Sequence, residues 1–180
     1  MMLSRSNWLI LTLAVLAATA GGYLERRLNA PAAIDLSFIG QPVPALVLPD
    51  LDGKQHSLDE YRGHRVVLNF WASWCAPCLE EMPALARAQK NFGENRPIVV
   101  GIAMDDAMHV RRFLAAHAVN YPILLGKLTP PSTSLLLGNT PGLLPYSVLL
   151  GADGRILEMH AGALTSAQLR QWLKPESTPN

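Results

Sequence analysis

Residues 66–78 read Val66-Val67-Leu68-Asn69-Phe70-Trp71-Ala72-Ser73-Trp74-Cys75-Ala76-Pro77-Cys78. The first six are apolar or β-branched apart from Asn69, the length and composition of a buried strand. Beyond the cysteines, Leu79, Met82, Leu85, Ala86 and Gln89 recur at three- and four-residue steps. That spacing predicts a helix from Ala76 to about Phe92, kinked at Pro83 and stopped by Gly93. The cysteines therefore stand at a strand-to-helix junction. There Cys75 has the unpaired N–H groups and positive dipole end of the helix N-terminus, which favour a thiolate, and Cys78 lies one turn in, more shielded. Thiol-disulfide exchange needs one thiol to attack and a second to resolve the mixed disulfide, and this placement supplies both. Pro77 fits the first turn because its missing N–H would be unpaired anyway, while Ala76 adds no donor or charge. A modestly stabilised thiolate is expected, with a reducing potential nearer ~−270 mV than the ~−120 mV of a strong oxidant.

Outward from this stretch, Ile98 to Ala103 reads as a second buried strand, Asp105-Asp106 caps a helix through about His117, and Tyr121 to Leu125 is a short third strand. Tyr146 to Leu150 and Arg155 to His160 are strands joined by the hairpin signal Gly151-Ala152-Asp153-Gly154, and a helix closes over Thr165 to Lys174. Upstream, Pro49 to Lys54 reads as a hairpin turn, and Ser57-Leu58-Asp59-Glu60 has the order of a capping box. Alternation of strand and helix followed by a hairpin predicts an α/β domain with a mixed central sheet and helices on both faces.

The chain has 180 residues, 49% hydrophobic and 16% charged, with a formal charge of +1, which argues against nucleic acid as a partner. Its two cysteines are too few for a multi-bridge scaffold, leaving a redox pair or half of a metal site. Zinc would need two more ligands. His56, His64, His109, His117 and His160 are scattered singly, so no metal site and no cofactor are expected. An inert structural disulfide is a poor reading too, since so short a loop removes little unfolded-state entropy. The non-enzyme alternative is a copper metallochaperone holding the ion through both cysteines.

Trp8 to Leu24 is a charge-free run of 17 residues after Arg5. Its length suits a retained membrane helix, whereas Ala18-Thr19-Ala20 suits signal-peptide cleavage after Ala20. Arg26 and Arg27 argue weakly against export of the C-terminal side. The expected organisation is a cytoplasmic N-terminus over 1–7, a single-pass signal-anchor helix over 8–24, a proline-containing linker over 25–39, one domain over 40–175 and a flexible tail over 176–180.

Val67 through Cys78, followed by Glu80-Glu81-Met82-Pro83, resembles the thioredoxin superfamily and, within it, the bacterial extracytoplasmic group of TlpA, ResA and the cytochrome c maturation thioredoxins. The similarity covers about Gly40 to Leu173. It implies a thioredoxin-like three-layer α/β/α sandwich anchored in the bacterial cytoplasmic membrane, with its catalytic domain in the periplasm or extracytoplasmic space. It also implies exchange with disulfides of partner proteins, apocytochrome c or copper-site assembly proteins among them, and a membrane thiol-disulfide reductase as electron donor. Cys75 and Cys78 would be catalytic. Leu144-Pro145 matches the family's cis-proline position, where Leu144 would pair with a substrate chain; Thr140-Pro141 is the rival. The separation of 67 residues from Cys78 to Pro145 suits the inserted element of this group. Glu81 matches a glutamate that tunes the cysteine pair in some relatives, the alternative being a solvated helix face shared with Glu80. Asn69 stands where cytoplasmic thioredoxins carry a buried, proton-exchanging Asp, a task an amide cannot perform. Trp71 is expected in the core, and Trp74 over the site as shield and contact surface. The peroxiredoxins share the wider fold, but their Pro-x-x-x-Thr-x-x-Cys pattern is absent, because Ala72 stands three residues before Cys75.

Overall fold

The computed structural model describes residues 8, 12, 14–22, 33–90 and 97–174, and the chain divides into two units, residues 1–32 and 33–180. In the first unit the described residues are helical. The rest of the expected anchor, the N-terminus over 1–7, Gly93 and the tail over 176–180 lie outside the described residues. Among the described residues no helix is long and apolar enough to cross a membrane.

In the second unit, β3 (Val66–Trp71) is the centre of a five-stranded sheet. It pairs in parallel with β4 (Ile98–Ala103), which pairs in parallel with β5 (Ile123–Leu125). On its other side it pairs antiparallel with β6 (Tyr146–Leu150), which pairs antiparallel with β7 (Ile156–Ala161). Every residue of β3 is buried, which is why it reads as a continuous apolar run and not as an alternation. Successive side chains still point to opposite faces. Val67 and Trp71 join one core with Val99, Ala103 and Leu149, while Val66, Leu68 and Phe70 join a second with Val100, Ile102 and Val148.

The mixed sheet is as expected, but the placement of the helices differs. α1 (Ala76–Lys90), α2 (Ala107–Ala116) and α3 (Ser166–Trp172) bring Met82, Leu85, Val110, Leu169 and Trp172 to the same core, that of Val67 and Trp71. The chain steps from β3 to β4 to β5 in one direction across the sheet, and two right-handed crossovers in one direction put both helices on one face. Among the described residues the opposite face carries no α-helix. It is covered by the hairpin of β1 (Val47–Pro49) with β2 (Gln55–Ser57) and by 3-10 turns at Leu36–Phe38, Leu58–Tyr61 and Leu135–Leu137, which supply Phe38, Leu48, Leu58 and Leu137. The expected α/β/α sandwich is thus a sheet with α-helices on one face and short turns on the other.

The capping box at Ser57 and Glu60 forms, and Asp106 caps α2 by accepting from the Met108 N–H at 2.8 Å. Residues 33–39, the end of the expected linker, belong to the domain unit: the Asp35 N–H donates to Gly138 O at 3.0 Å, and the next residue, Gly40, donates to Ile156 O at 2.7 Å.

Candidate active site

Cys75 and Cys78 are joined by a disulfide with Cα atoms 5.3 Å apart. The Cys75 N–H donates to Ala72 O at 3.1 Å, and the Cys75 carbonyl accepts from the N–H groups of Cys78 and Leu79 at 3.0 and 3.2 Å. Cys75 therefore occupies the cap position of α1, at the C-terminal end of β3. It is 5% exposed and Cys78 is fully buried, so of the two only Cys75 retains any contact with solvent. Ala76 and Pro77 are exposed, and Trp74 is 71% exposed, which suits a contact surface better than a shield. Trp71 is fully buried.

The Leu144-Pro145 peptide is cis, as the resemblance implied, whereas Thr140-Pro141 is not; Pro130-Pro131 is also cis, which the sequence did not signal. Pro145 is buried and Leu144 half-buried, packed against the core that contains both cysteines and also against the core of the other face.

Glu81 is buried on the inner side of α1, while Glu80 is exposed. A shared solvated face is therefore ruled out for Glu81. Its Oε1 accepts from Asn69 Nδ2 at 2.7 Å and its Oε2 from the Leu164 N–H at 2.9 Å. Burial pushes the Glu81 carboxyl above its ordinary range; the hydrogen bonds from Leu164 and Asn69 pull it down without cancelling that effect. Asn69 Nδ2 also donates to Ser147 Oγ at 3.1 Å, because Asn69 faces Ser147 across the β3–β6 ladder. The amide at position 69 thus supports the carboxylate at position 81. Asn69 Oδ1 and the Tyr121 hydroxyl are buried without hydrogen-bond partners. Burial, and secondarily the Glu81 charge, push the Tyr121 hydroxyl upward, so it stays protonated.

Some of these contacts the sequence did not reveal. Ser147 and Leu164 reach Asn69 and Glu81 only through strand register and the return of the chain. Asp105, expected to share the cap of α2, instead accepts from the Ser73 N–H at 2.9 Å and from Ser73 Oγ at 2.6 Å. The signal was the tandem Asp105-Asp106, of which a cap needs only one. Among the described residues no three His, Cys, Asp or Glu side chains cluster as metal ligands would.

Residues 39–159 match the model of the AhpC/TSA family. The chain is 31% identical over 137 residues to the thiol-disulfide oxidoreductase ResA of Bacillus anthracis, covering 76% of this chain and 77% of the relative. It is also 31% identical over 137 residues to the thioredoxin-like protein YneN of Bacillus subtilis (strain 168), covering 74% and 78%. Among solved structures, a thioredoxin-related protein of Neisseria meningitidis serogroup B superposes with a TM-score of 0.62 at 29% identity, covering 69% of this chain and 93% of that one. A thiol:disulfide interchange protein of Chlorobium tepidum TLS gives 0.62 at 25% identity, covering 73% and 92%. With a Cys-x-x-Cys disulfide capping a helix of a thioredoxin-like fold, the chain belongs to the AhpC/TSA family and is a thiol-disulfide oxidoreductase of the ResA type.

Proposed function

We propose that the protein acts outside the cytoplasm, tethered to the bacterial membrane by residues 8–24, and reduces disulfides of partner proteins such as apocytochrome c or copper-site assembly proteins. The observation that carries the reducing direction is the Cys75–Cys78 pair at the start of α1 with no cation beside it in the motif, Ala76 and Pro77 being its only spacers. In the reduced protein the Cys75 thiolate attacks one sulfur of the substrate disulfide, forming a mixed disulfide and releasing the other substrate sulfur as a thiolate. Cys78 then loses its proton and attacks the Cys75 sulfur. The Cys75–Cys78 disulfide forms and the second substrate sulfur departs. Glu81, one turn beyond Cys78 on the same helix, is the group assigned to take the Cys78 proton, since its raised affinity for protons suits exchange with a thiol. Leu144, presented by the cis bond to the buried Pro145, forms with the exposed Trp74 the surface that receives the substrate chain. A membrane thiol-disulfide reductase restores the dithiol.

The equilibrium reduction potential of the Cys75/Cys78 pair, titrated in redox buffers with mass-shift detection of free thiols, tests this reading. A midpoint at or below about −220 mV is expected for a reductant; one near about −120 mV would make the protein a disulfide donor. The absence of any reversible titration would favour copper binding through the two cysteines.

A further inference from the structure

The turn that delivers Cys75 to its helix is held from outside. Residues 72–75 leave β3 and reverse through the Cys75 N–H to Ala72 O bond, with Ser73 and Trp74 as the two central residues of that turn. Ser73 is bonded twice to Asp105, in the loop that follows β4: its N–H and its hydroxyl both donate to Oδ2, at 2.9 and 2.6 Å. Just before these loops, the Met104 N–H donates to O of Trp71, the last residue of β3, at 2.7 Å. The other oxygen of Asp105 accepts from the Asp106 N–H at 2.7 Å and faces the exposed His109 Nδ1 at 3.4 Å. The Asp105 side chain is only 6% exposed, so a carboxylate is buried with one of its two oxygens directed at Ser73, two residues before Cys75. Capping α2 does not require it, since Asp106 does that.

We propose that Asp105 is a positioning residue for Cys75: by gripping Ser73 it fixes the turn that aims the Cys75 sulfur at the N–H groups of the first turn of α1. This rests on the reading of Cys75 as the attacking thiol. Two effects of the carboxylate oppose each other. Fixing the turn favours the thiolate through aligned N–H groups, whereas the negative charge disfavours it. Charge and geometry can be separated because Asn keeps one acceptor for Ser73 without the charge, and Ala keeps neither.

The test measures the pH dependence of alkylation by iodoacetamide in the reduced full chain, with the modified cysteine identified by mass mapping, in the unsubstituted protein and in Asp105→Ala, Asp105→Asn and Ser73→Ala. Thermal unfolding verifies that each is folded. In Asp105→Ala the midpoint of Cys75 alkylation is expected to rise by about one pH unit. The rate at pH 7 then falls about threefold, since a roughly tenfold loss of thiolate is partly offset by its greater nucleophilicity. Asp105→Asn, which keeps an acceptor for Ser73 and loses the charge, is expected to bring the midpoint back to the parent's value or slightly below it, and Ser73→Ala combined with Asp105→Ala to lose no more than Asp105→Ala alone. A downward displacement common to Ala and Asn would overturn the inference, leaving Asp105 as a charge only. An unchanged profile in folded variants would do the same, leaving it structural. Should the unsubstituted protein be alkylated first at Cys78, the assignment of Cys75 as attacking thiol fails instead, which separates the two failures.

Discussion

Glu81 shows how one buried side chain serves both stability and chemistry. Its carboxyl has a higher affinity for protons in the folded chain than in the unfolded one, chiefly because of burial. Its contribution to stability is therefore fully present below the ordinary value of 4.5 and is lost as pH rises through the higher folded value. Glu81→Gln should remove this loss, so the variant is expected to unfold at the same or a higher temperature than the parent at pH 7. The hydrogen bonding can also adjust: with the Asn69 amide turned over, its Oδ1 accepts from the new amide and from the Ser147 hydroxyl, which takes the place of the bond now donated by Nδ2. The chemistry should respond in the opposite sense. Without a carboxylate to accept the Cys78 proton, resolution of a mixed disulfide at Cys75, followed by quenched-flow mass analysis, is expected to slow by about 10²-fold. A folded Glu81→Gln protein that resolves at the parent rate would remove Glu81 from the mechanism. By residue type alone Glu80 and Glu81 are equivalent neighbours, and it was the family resemblance that singled out Glu81. The rotation of α1 against the sheet, which exposes Glu80 and buries Glu81, is the physical reason they differ.

At the scale of elements, the β1–β2 hairpin is the part of the opposite layer most dependent on charge. His56 sits between two carboxylates, with Nε2 3.0 Å from Asp50 Oδ2 and Nδ1 3.1 Å from Glu60 Oε2. Hydrogen bonding to Asp50, and then to Glu60, raises the His56 pKa above its ordinary 6.5. The His56 hydrogen bond holds Asp50 below its ordinary 3.8, and the Ser57 N–H and then His56 hold Glu60 below its ordinary 4.5. The histidine's contribution is complete below 6.5 and lost as pH rises through its folded value. The carboxylates' contribution is complete above 4.5 and lost as pH falls through theirs. Amide hydrogen exchange of residues 47–57, corrected for intrinsic rates, should accordingly show greatest protection between 4.5 and 6.5 and decline on both sides. His56→Gln should abolish the decline on the alkaline side. The hairpin turn and the Ser57 capping box were legible because turn and cap chemistry is local. The His56 clamp was not, because Asp50 meets His56 only once the strands pair, and each histidine read singly looked like a surface residue.

At the scale of the whole molecule, the central sheet separates two cores, and the cysteines belong to one of them. The order of strands and helices, the junction at Cys75 and the pairing of Cys75 with Cys78 could be read from periodicity and spacing. The sequence could not reveal that α1, α2 and α3 share the cysteines' face. Handedness and strand order decide which face a helix takes, and the apolar stripe of a helix is the same on either side. This division bears on the redox potential, which reports the difference in stability between the disulfide and dithiol forms. A substitution that weakens both forms equally lowers stability and leaves the potential unchanged. Ile156 is a stringent position for this test: it is fully buried in the opposite core and pairs with Leu150, which pairs with Val66, at the end of β3 remote from Cys75. Ile156→Ala should cost about 3 kcal/mol, measured by urea unfolding of the oxidised protein, through lost burial and the cavity left behind. The Cys75/Cys78 midpoint should then stay within about 10 mV of the parent, corresponding to less than about 0.5 kcal/mol of differential effect. A displacement of about 30 mV, or about 1.4 kcal/mol, would instead mean that the dithiol form relaxes packing across the sheet. Leu144, which touches both cores beside Pro145, would be the contact through which it does so.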